Sequence, residues 1–173
     1  MESHLTYSTV LVKNKAVLDV DDAGWYLFAP SPNVKLTPYT EEGFMFNLLA
    51  IMAGGSIGAV CRHGMFIAVQ RWSGSAFPVG TLAVNLFGSF MIGFLWYIFD
   101  KPHWSHEWRL FLFTGLLGGF TTFSTFTRET FQFFKVGDWK SAVAYVTLSN
   151  ILGVALVFIG YLLCKRLMIM MAG

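Results

Sequence analysis

Charge is what this chain has least of. Only 13% of its 173 residues are Asp, Glu, Lys or Arg, against 55% hydrophobic. Soluble domains average about 25% charged residues, so an ordinary soluble domain is excluded, and so is a disordered chain. The net charge of +2 is too small for a nucleic-acid surface, and no nucleic-acid partner is expected. Cysteine is scarce too. Cys61 and Cys164 have no metal-ligand spacing and read as buried thiols. No Gly-x-x-x-x-Gly-Lys loop is present to couple nucleotide hydrolysis to work. His4, His63, His103 and His106 assemble into no nucleophile–base pair and no metal set, so the chain does not read as an enzyme.

What fills the sequence instead is long uncharged runs. Met45 to Cys61, Ser73 to Phe99, Leu110 to Thr127 and Ser141 to Cys164 contain no Asp, Glu, Lys or Arg. A spanning helix needs about 20 largely apolar residues. The runs lack the alternation of barrel strands. They predict an all-α integral membrane protein with four transmembrane helices at 46–70, 78–99, 108–134 and 140–165, its outer surface facing the lipid bilayer.

Residues 1–43 differ from the rest. They carry Lys13, Lys15, Asp19, Asp21, Asp22, Lys35, Glu41 and Glu42, with Pro30, Pro32 and Pro38. No basic segment precedes an apolar core there, so this is not a signal peptide. The expectation is a weakly ordered extension ahead of a four-helix domain at 44–173. Met45, directly before the first span, is a candidate start of the natural chain.

Small residues recur four apart: Gly54 and Gly58, Ser89 and Gly93, Gly115 and Gly119. Such pairs let helix backbones approach closely, within a subunit or between two. Their abundance in so short a chain favours an oligomer. Basic residues do not fix an orientation. Lys101, Arg109, Lys165 and Arg166 flank the spans on one side, and Arg71, Lys135 and Lys140, with Arg128 near the boundary, on the other. A balanced count permits both orientations, and with them an antiparallel dimer.

Two polar stripes stand out. Thr81, Asn85 and Ser89 share one face of the second span, and Tyr145, Ser149 and Gly153 one face of the fourth. Asn85 is either interhelical glue or a donor to an anion, since its NH2 carries two hydrogens. Asn150, about 100° away from Ser149, reads as glue. In the first span Arg62 shares a face with Gly54 and Gly58. It is either a snorkelling anchor or a basic group at an anion-attracting vestibule. His63 reads as interfacial. The stripes offer donors and almost no acid. Glu129, beside Arg128, is expected close to the far interface. A cation pathway would carry inward Asp or Glu, so an anion or a neutral solute is favoured.

The third span contains Gly118-Gly119-Phe120-Thr121-Thr122-Phe123-Ser124-Thr125-Phe126. Paired glycines and clustered hydroxyls suit a continuous helix poorly. Irregular backbone at membrane depth persists only where protein or a water-filled cavity satisfies it. Phe123 and Phe126 share a face if helix resumes after the glycines. They are either core packing or rings turned edge-on to an anion, the ring edge being positive. Unwound carbonyls here could hold Na⁺.

Together three segments resemble the Fluc (CrcB) family of fluoride channels over about residues 45–166. They are Gly54-Gly55-Ser56-Ile57-Gly58-Ala59-Val60-Cys61-Arg62, Gly80-Thr81-Leu82-Ala83-Val84-Asn85-Leu86-Phe87-Gly88, and the third-span segment above. The resemblance implies a third helix broken near the midplane and an antiparallel dual-topology homodimer with two fluoride pores. It implies a structural Na⁺ on the dimer axis, held by backbone carbonyls of Gly118 and Thr121. Asn85, Phe123, Phe126, Tyr145 and Ser149 would line the pore, with Thr81 and Ser124 as weaker candidates and Arg62 at the vestibule. Gly153 stands where some members carry a hydroxyl, which leaves the outer part of that track in question. The function implied is passive export of cytoplasmic fluoride across a bacterial inner membrane, which gives fluoride resistance. The alternatives are a small four-helix dual-topology drug/proton exporter, which needs a membrane carboxylate, and a non-transporting membrane interaction subunit.

Overall fold

The structure, a computed structural model, describes residues 41–100 and 104–172. The expected extension, residues 41–43 apart, lies outside the described residues, as do His4 and His103. Among the described residues four helical stretches are long and apolar enough to cross a membrane: Gly43–Ser73, Val79–Phe99, His106–Lys135 and Trp139–Met171. They match the four uncharged runs. Helix α1 is Glu41–Ser73 and α2 is Val79–Phe99. The third stretch opens with α3 (His106–Arg109), passes through a π-helical segment, Leu110–Leu117, and ends its first half as α4 (Gly118–Phe120). Its second half is α5 (Phe123–Lys135). The last helix, α6, is Trp139–Ala172. At a rise of about 1.5 Å per residue, α2 spans roughly the ~30 Å of a bilayer's hydrocarbon core.

The turns have identifiable causes. α1 ends at Gly74, whose φ of +58° suits a residue without a Cβ. The Gln70 side chain then ties the turn together. Its Nε2 donates to the Ser75 and Phe77 carbonyls at 2.7 and 3.2 Å, and its Oε1 accepts from Gly80 N–H at 2.9 Å. α5 ends at Gly137, φ +79°. There Gly137 N–H donates to the Phe134 carbonyl and Asp138 N–H to that of Phe133, a Schellman closure. Asp138 caps the next helix by accepting from Ser141 N–H at 3.1 Å.

The small-residue pairs are used inside the subunit. A methyl group on Gly54 would strike the Phe111 carbonyl, and one on Gly58 the Leu116 carbonyl. One on Gly119 would come within 2.7 Å of the Gly55 carbonyl. These contacts join α1 to the first half of the third stretch. Gly93 against Val157 and Gly160 against Phe90 do the same for α2 and α6. The glycines therefore supply no argument for an oligomer. The outward surface is apolar, with Val60, Ile151 and Phe158 all exposed, as a lipid-facing wall requires. Cys164 is buried, but Cys61 is exposed, against expectation.

Candidate functional site

Helix α4 stops at Phe120, and α5 starts at Phe123. Between them Thr121 (φ −78°, ψ 158°) and Thr122 (φ −147°, ψ 110°) are extended. Asn85 of α2 holds this pair of residues in place. Its Nδ2 donates to the Thr122 carbonyl at 3.0 Å, and its Oδ1 accepts from Thr122 N–H at 2.8 Å. An amide NH2 carries two donors, and the clamp uses one. Thr122 also caps α5, its Oγ1 accepting from Thr125 N–H at 3.2 Å and donating to Thr125 Oγ1 at 2.9 Å. The positive end of α5 thus faces the gap.

Both hydrogen bonds have a second consequence. In a continuous helix Thr122 N–H would donate to the Gly118 carbonyl and Thr125 N–H to the Thr121 carbonyl. Here the first goes to Asn85 and the second to the Thr122 hydroxyl. The Gly118 and Thr121 carbonyls are released from the helical ladder, and Arg62 Nη1 donates to the latter at 3.4 Å. Released carbonyls are the donors a hard cation such as Na⁺ takes. No group of three or more His, Cys, Asp or Glu suited to a metal occurs among the described residues.

Two cavities flank the extended pair, and Thr122 lines both. One, of about 370 Å³, is bordered by Arg62, His63, Ser124, Thr125, Arg128 and Glu129. The other, about 330 Å³, is bordered by Asn85, Ser89, Gly118, Thr121 and Phe123. Arg62 therefore borders a cavity that several polar and charged side chains line.

Glu129 is the residue whose surroundings sequence reasoning missed. It is buried, 9% exposed. Thr81 Oγ1 donates to one carboxylate oxygen at 2.9 Å, and Tyr145 OH to the other at 2.8 Å. Thr81 and Tyr145 are themselves almost completely buried. The two hydroxyls expected to face a path are thus turned toward an acid on a third helix. A signal was present: Phe126, Glu129 and Thr130 recur at helical spacing as the buried face of α5, which puts the carboxylate among core residues.

The phenylalanines divide. Phe126 is buried, its ring centroid 5.1 Å from that of Tyr145 and 5.7 Å from that of Phe123. Phe123 is 75% exposed. Ser149 Oγ is buried with no hydrogen-bond partner. Ser124 is exposed, 3.4 Å from the Thr122 hydroxyl. The α2 and α6 stripes do meet: a Cβ on Gly153 would stand 3.6 Å from Ser89 Oγ, ordinary contact. Asn150 joins nothing across helices; its Nδ2 donates to the Val146 carbonyl one turn back.

Comparison with known proteins bears on what this arrangement serves. The family described as "CrcB-like protein, Camphor Resistance (CrcB)" matches residues 49–161. The chain is 43% identical over 125 residues to a "Fluoride-specific ion channel FluC" of Desulfotalea psychrophila, covering 72% of this chain and 97% of that one. It is 44% identical over 126 residues to the protein of the same name from Parabacteroides distasonis (73% and 98%). With the Aquifex aeolicus protein of that name it shares 43% over 121 residues (69% and 98%). The family match takes in all three segments around the gap, the relatives are matched over nearly their whole length, and the chain accordingly belongs to the CrcB-like family.

Proposed function

We propose that the protein is a passive, fluoride-selective channel working as an antiparallel dual-topology homodimer in a bacterial inner membrane, where it lets cytoplasmic fluoride leave and so limits its toxicity. The observation that carries this reading is the Asn85-clamped gap between α4 and α5, with a donor-lined cavity on either side. The name borne by the three relatives supports it.

Fluoride is small, and shedding its water is costly. The second amide hydrogen of Asn85 and the Ser149 hydroxyl replace part of that shell. The Ser149 oxygen has no protein partner to give up first. The edges of Phe123 and Phe126 add diffuse positive potential. The positive end of α5 and the Arg62 guanidinium draw the anion toward the gap. Thr81 and Tyr145 hand their hydrogens to fluoride only by loosening from Glu129, so they act as a weak site. Several weak sites in series pass an ion without trapping it. The gap is the proposed midplane break, and Gly118 and Thr121 are the residues that would hold Na⁺ where two copies meet. Their release from the helical ladder supports that assignment. Bound there, the cation would supply positive charge against the released carbonyls.

Glu129 favours one second reading, a drug/proton exporter, because such a protein needs a buried carboxylate. Fluoride efflux from liposomes, followed with an ion-selective electrode, separates the two. Passive flux that prefers fluoride to chloride and follows voltage alone is the expected result. Flux coupled to protons, or equal passage of chloride, overturns the channel.

A further inference from the structure

The cavity that Arg62 faces does not end at Arg62. A further cavity of about 390 Å³ adjoins it, bordered by Gln70, Pro78, Gln132 and Val136. These residues belong to the α1–α2 turn and the last turns of α5, so this space lies toward that end of the helices. The two cavities share a wall made of Phe66, Arg128 and Glu129. An anion moving inward from the outer space to Arg62 meets that wall. Phe66 offers it no hydrogen bond. Glu129 repels it, even with its carboxylate oxygens taken up by Thr81 and Tyr145. Only the exposed guanidinium of Arg128 attracts it.

We propose that Arg128 is the entry residue of the anion path: it offsets Glu129 at the shared wall and passes fluoride from the outer cavity to Arg62. The charged and titratable groups facing this route come from two elements, Arg62 and His63 on α1 and Arg128 and Glu129 on α5. The α2 residues beside them, Thr81 and Val84, carry none. Without Arg128 the carboxylate is the only charge at the wall. Capture then slows, while the inner sites are unchanged. The inference rests on the fluoride-channel reading and extends it to the route of approach.

The test is fluoride efflux from liposomes across a range of fluoride concentrations, at low and high ionic strength. Arg128→Gln should lower flux at subsaturating fluoride by about threefold to tenfold at low salt. Flux at saturating fluoride should be preserved, and the deficit should shrink as salt screens the charge. Arg128→Lys should restore most of the loss. Arg71→Gln removes a basic residue from the same end that borders neither cavity, and should behave as wild type. Arg128 is exposed, so the variant should elute as the same species as wild type on size exclusion. Wild-type concentration dependence in Arg128→Gln overturns the proposal, and so does an equal deficit in Arg71→Gln. Absence of fluoride flux in the wild-type protein sinks the channel reading itself, a result distinct from either.

Discussion

The two halves of the third stretch, before and after Thr121 and Thr122, do opposite work. From Leu110 to Phe120 the first half is apolar apart from Thr114. It buries Phe113, Gly115, Leu117 and Phe120 and lies backbone-to-backbone on α1. The second half buries Phe126, Glu129 and Thr130 and meets its neighbours through hydrogen bonds. One half is fixed by shape, where nothing larger than hydrogen fits at the seam. The other is fixed by polar pairing, where an acid is held by two hydroxyls. A polar site at membrane depth needs a rigid support, and the glycine seam ends where the extended pair begins.

The sharpest way to break this contrast is to fill the seam. Gly58→Val should abolish folded protein, because its side chain would meet the Leu116 carbonyl and Phe120 N–H, neither of which can move aside. The cost exceeds about 3 kcal/mol, and loss of a monodisperse peak on size exclusion reports it. Recovery of wild-type protein would mean that the seam tolerates separation and is not what holds the two elements together.

Asn85→Asp attacks the junction between the halves. Asp still accepts from Thr122 N–H but cannot donate to the Thr122 carbonyl, and it sets a negative charge beside that oxygen. A loss of about 1–3 kcal/mol follows from the unpaired group, with fluoride flux down by at least about tenfold because like charge faces the anion. Normal flux would move Asn85 out of the path and leave it a structural clamp.

On the polar half, Glu129→Gln leaves one oxygen to accept two hydroxyls. Destabilisation of about 1–3 kcal/mol is expected, read as a lowered thermal midpoint in detergent. Tyr145→Phe should cost less in the Glu129→Gln background than in wild type, because the bond it deletes is already impaired. Additive costs would show that the hydroxyls do not depend on the carboxylate.

The two phenylalanines offer a finer comparison. Phe126→Ile removes a buried ring packed against Tyr145 and should destabilise by about 1–2 kcal/mol. Phe123→Ile changes an exposed ring and should shift stability by under about 0.5 kcal/mol. Both should lower flux without preventing dimer assembly. Unchanged flux in both variants would reduce the pair to packing.

Much of this was readable in the residues, and unevenly so. Uncharged runs locate a span because a charge in hydrocarbon is expensive whatever its neighbours, and all four spans were found that way. The Gly118–Phe126 segment advertised irregular backbone through composition alone. The glycine pairs showed close approach but not to what, since a small residue carries no mark of its partner. They proved to face α1 and the third stretch, or α2 and α6, within one chain. The burial of Glu129 went unread because Thr127 and Arg128 beside it are polar and exposed. Its burial depends on two hydroxyls from distant helices, Thr81 and Tyr145, and no local pattern names them.

Ser149 gives the smallest effect on stability and the clearest separation of structure from function. Its Oγ is buried and bonded to nothing. Removing a buried polar group that has no partner returns its desolvation penalty rather than losing a bond. Ser149→Ala should therefore leave the thermal midpoint unchanged or slightly raised, by under about 0.5 kcal/mol. If the hydroxyl is a waiting donor for fluoride, flux should still fall, by about twofold to fivefold, in keeping with one hydrogen bond among several. Glu129→Gln differs, since stability is where its loss is read. A drop in stability with flux intact would show that the oxygen has a structural partner. A drop in flux alone would assign the bare hydroxyl to the anion.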